Sequence, residues 1–465
     1  MNRTKKKRKK KILYFTITLL TVLCMGTVVL FGMMAKKRAA LLKEQALLAE
    51  KERLELQESM REEEQSGADM KETKEQLPIE ESKEATKEDK VETILPVTMA
   101  FGGDICFYDA FANMQALKSR GGKIESSLSG DLLSKMQSAD FLMLNNEFAY
   151  SDRGQPLPDK AFTFRSRPEN VELLHEMGVD IVSLANNHVY DYGEDALFDT
   201  LDILKAAGIP YVGAGRNLDE AAAPYYFEMN GRKIAVVSAT QVERNETPDT
   251  KGATEVTAGT FRCFTKEEFE RLLLAVREAN QNADLTVVYI HWGTENVDQM
   301  HWAQEWQAPE IVDAGADLIV GDHPHCLQKI EYIKGVPVFY SLGNFWFNSK
   351  TLDTGLLEVT YDVDGSLSCR FLPAIQHDCR TDLASGEEKQ RILKYLQCIS
   401  PDITIDEDGF IRDTPYTGPP IDYDAVERLP KKPQELQQPP QGQPLPEGQP
   451  GDVPADGTTG DGIMQ

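Results

Sequence analysis

The chain has 465 residues, with 50 Lys+Arg against 75 Asp+Glu and a formal net charge of −25. Eleven of the basic residues lie within the first 38, so the remainder carries a balance of −36. A body this acidic excludes binding of nucleic acid through its general field, and an anionic substrate would need a local cationic site such as a metal ion.

Residues 1–11 form a basic tail with eight Lys and Arg, expected to be cytoplasmic. The charge-free run Ile12–Met34 follows. Its 23 residues, at about 1.5 Å each in a helix, span the roughly 30 Å hydrocarbon core. A cleaved signal peptide is the competing reading, but its apolar core is usually about 7–15 residues. The flanking positive charges place the N-terminus inside and everything after Met34 outside the cell, as a single-pass membrane anchor. Residues 35–94 read as a charged stalk: helical at first ("ALLKEQALLAEKERLELQESMREEE"), then too poor in apolar residues to pack. Residues 95–413 alternate short apolar runs with helical stretches, which predicts an α/β layered domain. Strands are expected at "VTMAFGG", "FLMLNN", "DIVSLA", "KIAVVSA", "LTVVYIHW", "DLIVG", "VPVFYSLG" and "GLLEVTYDV". Helices are expected at "SRPENVELLHEMG", "EDALFDTLDILKAAG", "TKEEFERLLLAVREAN" and "AQEWQAPEIVDAG". Residues 414–465, rich in Pro, Gly and Gln, read as a disordered tail. Beyond the span's Cys24, six scattered cysteines make no disulfide scaffold; Cys369 and Cys379 are either a pair or buried thiols.

Polar residues collect at the ends of the apolar strands: Asp104, then Asn145–Glu147, then Asn186–His188, then His291, then Asp322, His323 and His325. The carboxyl ends of strands are where α/β proteins build sites. In "VGDHPHC" the proline favours an extended His323, so that His323 and His325 project to one side. Each residue has an ordinary reading as a turn residue, a helix cap or a satisfied strand-end imidazole. Four of the seven histidines share these endings, however, and nitrogen and oxygen donors of this kind suit Zn, Mn or Fe. His175 fits a helix, His377 lies near the end of the β-rich part, and His301 with Trp302 and Trp306 reads as a helix face.

"GGDICF", "NNEF", "SLANNHVYDYG", "HWGTE", "GADLIVGDHPHCLQ" and "YSLGNF" follow one another between Val97 and Asn348. This series resembles the capsule-biosynthesis CapA proteins, which are associated with poly-γ-glutamate capsules and related to calcineurin-like metallophosphoesterases. The resemblance implies a four-layer α/β/β/α sandwich of metallophosphoesterase type with a metal site at the strand ends. Carried over onto this chain, it makes Asp104, Glu147, Asn187, His291, His323 and His325 metal ligands, with Glu147 bridging. His188 is implied to protonate a leaving group, with Asp191 orienting its imidazole. Arg165 and Arg167 of "FTFRSRP" are candidates to hold an anionic group through paired hydrogen bonds, or else are solvated surface arginines. Two departures matter. The related phosphoesterases carry Asp-x-His at the first motif, where this chain has Asp104-Ile105-Cys106, and the position after Asn-His is Val189. The expectation is one tight divalent metal (Mn, Zn or Fe) and a second site that is weak or absent unless Cys106 substitutes. The implied function is a membrane-anchored, extracellular CapA-like protein of capsule or envelope-polymer synthesis, a metal-dependent hydrolase of phosphoester type. A γ-glutamyl amide hydrolase and a non-catalytic accessory or export component stand as alternatives. The expected partners are the membrane through Ile12–Met34, an anionic envelope polymer or its precursor, and other capsule-synthesis membrane proteins.

Overall fold

The computed structural model describes residues 94–242 and 250–429. The expected basic tail, membrane span and stalk, and the tail beyond residue 429, lie outside the described residues. Among the described residues no helix is long and apolar enough to cross a membrane.

The chain lays down one sheet, crosses to a second and returns. The first sheet opens with four parallel strands, β1 (Val97–Ile105), β2 (Phe141–Asn146), β3 (Ile181–Ser183) and β4 (Tyr211–Val212). The second sheet takes β5 (Tyr225–Met229), β6 (Arg232–Thr240), β7 (Leu285–His291), β8 (Leu318–Asp322), β9 (Ile330–Ile333) and β10 (Val336–Phe339), in the order β9-β10-β8-β7-β6-β5. The chain then rejoins the first sheet with β11 (Asn344–Trp346), β12 (Leu352–Tyr361), β13 (Leu367–His377), β14 (Arg380–Leu383), β15 (Thr404–Ile405) and β16 (Phe410–Arg412). β12 runs antiparallel to the first half of β1, and β11 runs parallel to its second half.

Strand alternation builds the layers. Met99 and Phe101 of β1, Val287 and Tyr289 of β7, and Leu318 and Val320 of β8 share one apolar cluster between the two sheets. Ala100 and Leu142 face the opposite way, beneath Met114, Leu132, Leu197 and Leu201 of the helices Ala112–Ser119, Gly130–Ser138 and Gly193–Ala207. On the far side of the second sheet, Val288, Ile290 and Ile319 pack with Phe269, Leu272 and Val276 of Lys266–Asn282 and Ile311 of Trp302–Asp313. Strands covered on both faces have no polar side to show, which is why they read as unbroken apolar runs. The result is a mixed α/β fold.

Local signals explain the helix ends. Thr265 and Glu268 form a reciprocal capping box at the start of Lys266–Asn282. Gly178 and Gly208 end their helices in the left-handed conformation. Trp302 and Trp306 are exposed along the helix that His301 caps, consistent with a helix face.

One expectation is corrected. The domain does not end at Asp413: Val426 is buried, Arg428 pairs with Asp298 at 3.2 Å, and the Leu429 amide donates to Asp353. The short apolar and charged anchors in "IDYDAVERL" are diluted by the surrounding Pro and Gly, so composition alone misassigns this stretch to the tail. Cys369 and Cys379 are free thiols, as are the other cysteines among the described residues.

Candidate metal centre

The carboxyl ends of the parallel strands in both sheets meet at one place. β1 delivers Asp104, the residue just past β2 is Glu147, the turn after β3 carries Asn186–Asp191, β7 ends on His291, and β8 ends on Asp322. Asp104, Glu147, His291, Asp322 and His323 are all buried, and His325 nearly so.

Glu147 is the centre of the problem that this site poses. Both of its carboxylate oxygens are buried and have no hydrogen-bond partner among the described residues. Oε1 lies 3.6 Å from His291 Nε2 and 3.9 Å from His188 Nε2. Burial, followed by the nearby charges of Asp104 and Asp322, pushes this carboxyl well above its ordinary range. A buried carboxylate without donors is costly unless something cationic satisfies it. Three groups of side chains have donor atoms mutually within 4.8 Å: Glu147, His291 and His323; Asp104, Glu147 and His325; and Asp104, His291 and Asp322. The donor set could therefore hold a metal ion.

The neighbours orient these donors. His291 Nε2 is 2.9 Å from Asn187 Oδ1 and 3.1 Å from His323 Nδ1, while its Nδ1 is 2.7 Å from Asp322 Oδ1. A carboxylate behind one ring nitrogen leaves the other for a metal. Burial holds the His291 pKa down to about 3, so its imidazole stays neutral and able to ligate at ordinary pH. Burial opposes ionisation of Asp104, but His325 and His291 outweigh it and hold that carboxyl below its usual value. Asn145 donates to Asp104 at 2.9 Å, and Asn186 donates to Asn145 at 3.0 Å, so the asparagines of "NNE" and "ANNH" brace the ligands. His325 Nδ1 lies 3.1 Å from Asp104 Oδ2 and 2.7 Å from Asn344 Oδ1.

His188 stands beside the ligands. Its Nδ1 is 2.7 Å from Asp191 Oδ2, and the ring of Phe164 packs on it with centroids 4.2 Å apart. Asp191, fully buried, also accepts the Phe164 amide at 2.7 Å and pairs with Lys160 at 2.7 Å. The Lys160 ammonium, almost as deeply buried, donates as well to the backbone carbonyl of Asn187.

The structure thus brings Asp104, Glu147, Asn187, His188, Asp191, His291, His323 and His325 together. It does not bring Arg165 and Arg167. Arg165 lies over the Tyr192 ring and donates to Arg153 O, while Arg167 is exposed beside Asp109 and Glu169. The buried cation is Lys160, from a loop without periodicity that gives no sequence signal. Asp322 has no assigned role in the motif series, and only the strand register shows its carboxylate behind His291. His323 and His325 converge, but not as an extended pair. β8 ends at Asp322, and φ is 93° at His323 and 56° at His325. Left-handed backbone at a non-glycine residue costs about 1–3 kcal/mol, and such strain clusters at functional sites. Cys106 does not substitute for the missing histidine. The register between β1 and β11 shifts between Asp104 and Ile105, and Cys106 packs in the outer apolar cluster, where burial pushes its thiol well up.

Residues 98–349 match the family described as bacterial capsule synthesis protein PGA_cap. The chain belongs to this family. It is 33% identical over 244 residues to the capsule biosynthesis protein CapA of Bacillus anthracis, covering 51% of this chain and 58% of that protein. It is 33% identical over 224 residues to the PGA biosynthesis protein CapA of Bacillus subtilis, covering 47% and 57%. The chain therefore aligns with less than two thirds of the length of these family members. Among solved structures it is similar to a novel phosphatase from Mycoplasma pneumoniae, at 16% identity and a TM-score of 0.38, over 62% of this chain and 96% of that one. At that score nothing about chemistry transfers.

Proposed function

We propose that this family member is a metal-dependent hydrolase acting on a phosphoester during synthesis or export of poly-γ-glutamate or a related envelope polymer. On this reading its catalytic domain is of the four-layer metallophosphoesterase type, held outside the cell by the Ile12–Met34 anchor. The observation that carries the reading is Glu147, a buried carboxylate without donors set among His188, His291 and His323. Glu147, Asn187, His291 and His323 would hold one divalent cation, and Asp104, Glu147 and His325 would contribute to a second. Such a cation supplies Lewis acidity that draws charge from a phosphoryl oxygen. His188 Nε2, 3.9 Å from Glu147 Oε1, would give its proton to the departing oxygen as a water oxygen takes its place on phosphorus. Asp191 holds the other ring nitrogen, which fixes the tautomer and the ring's direction. Lys160 pairs with Asp191 and, through the Asn187 carbonyl, pins the turn that carries Asn187 and His188. Phe164 covers the imidazole face and limits access of water.

An anionic polymer or its precursor would reach this acidic body only through the cationic centre, and the basic N-terminus would sit on the cytoplasmic face. Other capsule-synthesis membrane proteins are the expected neighbours. The missing histidine at Cys106 favours a second reading, a non-catalytic accessory component of polymer export. A γ-glutamyl amide is the alternative substrate for the same centre.

Metal content of the purified full chain and of His323→Ala/His325→Ala, with turnover of phosphoesters and γ-glutamyl amides, tests the proposal. Bound transition metal that the double variant loses, together with turnover that His188→Ala abolishes while retaining metal, supports hydrolysis. Polymer restored in a deletion strain by the ligand variant would support the accessory reading instead, and a wild-type chain without metal would refute the centre.

A further inference from the structure

The group Asp104, Glu147 and His325 supplies three donors, one fewer than a transition metal ordinarily takes. Cys106 is turned away into the apolar cluster. The backbone brings something else to the place. β11 lies parallel against the end of β1, with Asp104 opposite Asn344. The approach is close: the Asp104 amide donates to Gly343 O at 3.1 Å, and a Cβ at Gly103 would sit 1.8 Å from that oxygen. Only glycine at position 103 permits it. Asn344 is therefore held at Asp104 by main chain. Its carboxamide is buried, and Oδ1 lies 2.7 Å from His325 Nδ1, which in turn lies 3.1 Å from Asp104 Oδ2.

The same juxtaposition occurs on the other side of Glu147. There Asn187 Oδ1 lies 2.9 Å from His291 Nε2, which is 3.1 Å from His323 Nδ1. Each side of the shared carboxylate thus has an asparagine oxygen against an imidazole nitrogen. Donors bound about 2.1 Å from one ion and about 90° apart are separated by about 3.0 Å, near the spacings seen here.

We propose that Asn344, the asparagine of "SLGNF", is a metal ligand that takes the place of the histidine absent at position 106 and completes a second site with Asp104, Glu147 and His325. This inference rests on the metal-centre reading above. Two carboxylates, a carboxamide and one imidazole make an oxygen-rich set that suits Mn better than Zn. A neutral carboxamide is a weaker donor than imidazole, so this second ion is the looser of the two.

The test is Mn²⁺ binding by the purified full chain, counted by equilibrium dialysis with electron paramagnetic resonance of the bound ion. Wild type is expected to bind two Mn²⁺. Asn344→Ala should retain one and weaken the other at least 100-fold, beyond the 10–100-fold that losing an outer-shell hydrogen bond costs. Asn344→Asp keeps an oxygen donor, adds a charge and should bind the second ion at least tenfold more tightly than wild type. This variant separates ligation from a simple folding defect. Two ions bound by Asn344→Ala within tenfold of wild-type affinity would overturn this assignment alone, as would an Asn344→Asp chain whose second ion is no tighter than in wild type. No Mn²⁺ bound by wild type, or two ions retained by His323→Ala/His325→Ala, would overturn the metal centre and this assignment together.

Discussion

Replacing Lys160 by Met should cost about 3 kcal/mol of folding stability. The Lys160 side chain is 7% exposed and that of Asp191 is 0% exposed, with the charged atoms 2.7 Å apart. At an effective dielectric of about 20 the attraction is roughly 6 kcal/mol, and desolvation of the two ions cancels a large part of it. Removing one partner of a buried pair typically costs about 3–5 kcal/mol, because the other charge is left uncompensated. Asp191 keeps the Phe164 amide and His188, both at 2.7 Å, which places the loss at the low end of that range. The doubly neutral Lys160→Met/Asp191→Asn chain should be less destabilised than the sum of its single variants, by about 2 kcal/mol, since no lone charge remains. Urea unfolding of the metal-free full chain, followed by fluorescence of the buried Trp292 and Trp346, gives these differences if the denaturant slope is unchanged. A Lys160→Met loss below about 1 kcal/mol, or strict additivity in the cycle, would refute a buried charge pair there.

The metal-free chain should lose stability as pH rises above 6.5, whereas the Mn-loaded chain should not. Folded Glu147 and Asp322 have raised pKa values and hold protons that the unfolded chain has already released, so each lowers stability by up to about 1.4 kcal/mol per pH unit across its window. His325, also raised, stabilises the fold below 6.5 and loses that contribution as pH climbs through its folded value. His291 acts oppositely and only between about 3 and 6.5, where the unfolded chain alone is protonated. Thermal midpoints from pH 6.5 to 8.5, with chelator and with Mn²⁺, check the sign, and a rising midpoint in chelator would contradict it. Asp322→Ala should weaken metal binding about 10–100-fold by freeing the His291 ring, as read by chelator competition; unchanged affinity would mean that Asp322 orients nothing. A chain stopped after Asp413 loses the burial of Val426, the Arg428–Asp298 pair and the Leu429 hydrogen bond, which together stabilise by about 4 kcal/mol. An unchanged urea midpoint would show that residues 414–429 do not hold the domain.

The candidate ligands were readable because strand ends obey a local rule. A run such as "LTVVYIH" has to terminate where its apolar cover ends, and a polar residue there faces whatever lies above the sheet. That places Asp104, His291 and His323 from composition and order alone, and the family motifs place Asn187 and His188. The contacts that tune these groups follow from no local rule. Lys160 arrives from the loop between Ser151 and Phe164, whose polar residues show neither helical nor strand period. Arg165 and Arg167 carry a stronger charge signal, yet the chain's exit from the short strand Arg165–Ser166 points them at Tyr192 and Asp109.

The turn at "DHPHC" shows the same division between local and distant causes. A residue before proline is biased towards extended backbone, and on that local preference His323 continues β8. The observed φ of 93° opposes the preference, so something non-local holds it there. The neighbours that oppose an extended path are identifiable. Asn296 donates its amide to Pro324 O at 2.8 Å, the Ser341 hydroxyl donates to Cys326 O at 2.7 Å, and Asn344 and Asp104 flank the His325 ring. These partners come from the loop after β7, the segment after β10, and β1 and β11. No window around His323 contains them. The convergence of the two imidazoles is therefore a property of both sheets closing on one point, and the strained turn is where the cost of that closure is concentrated.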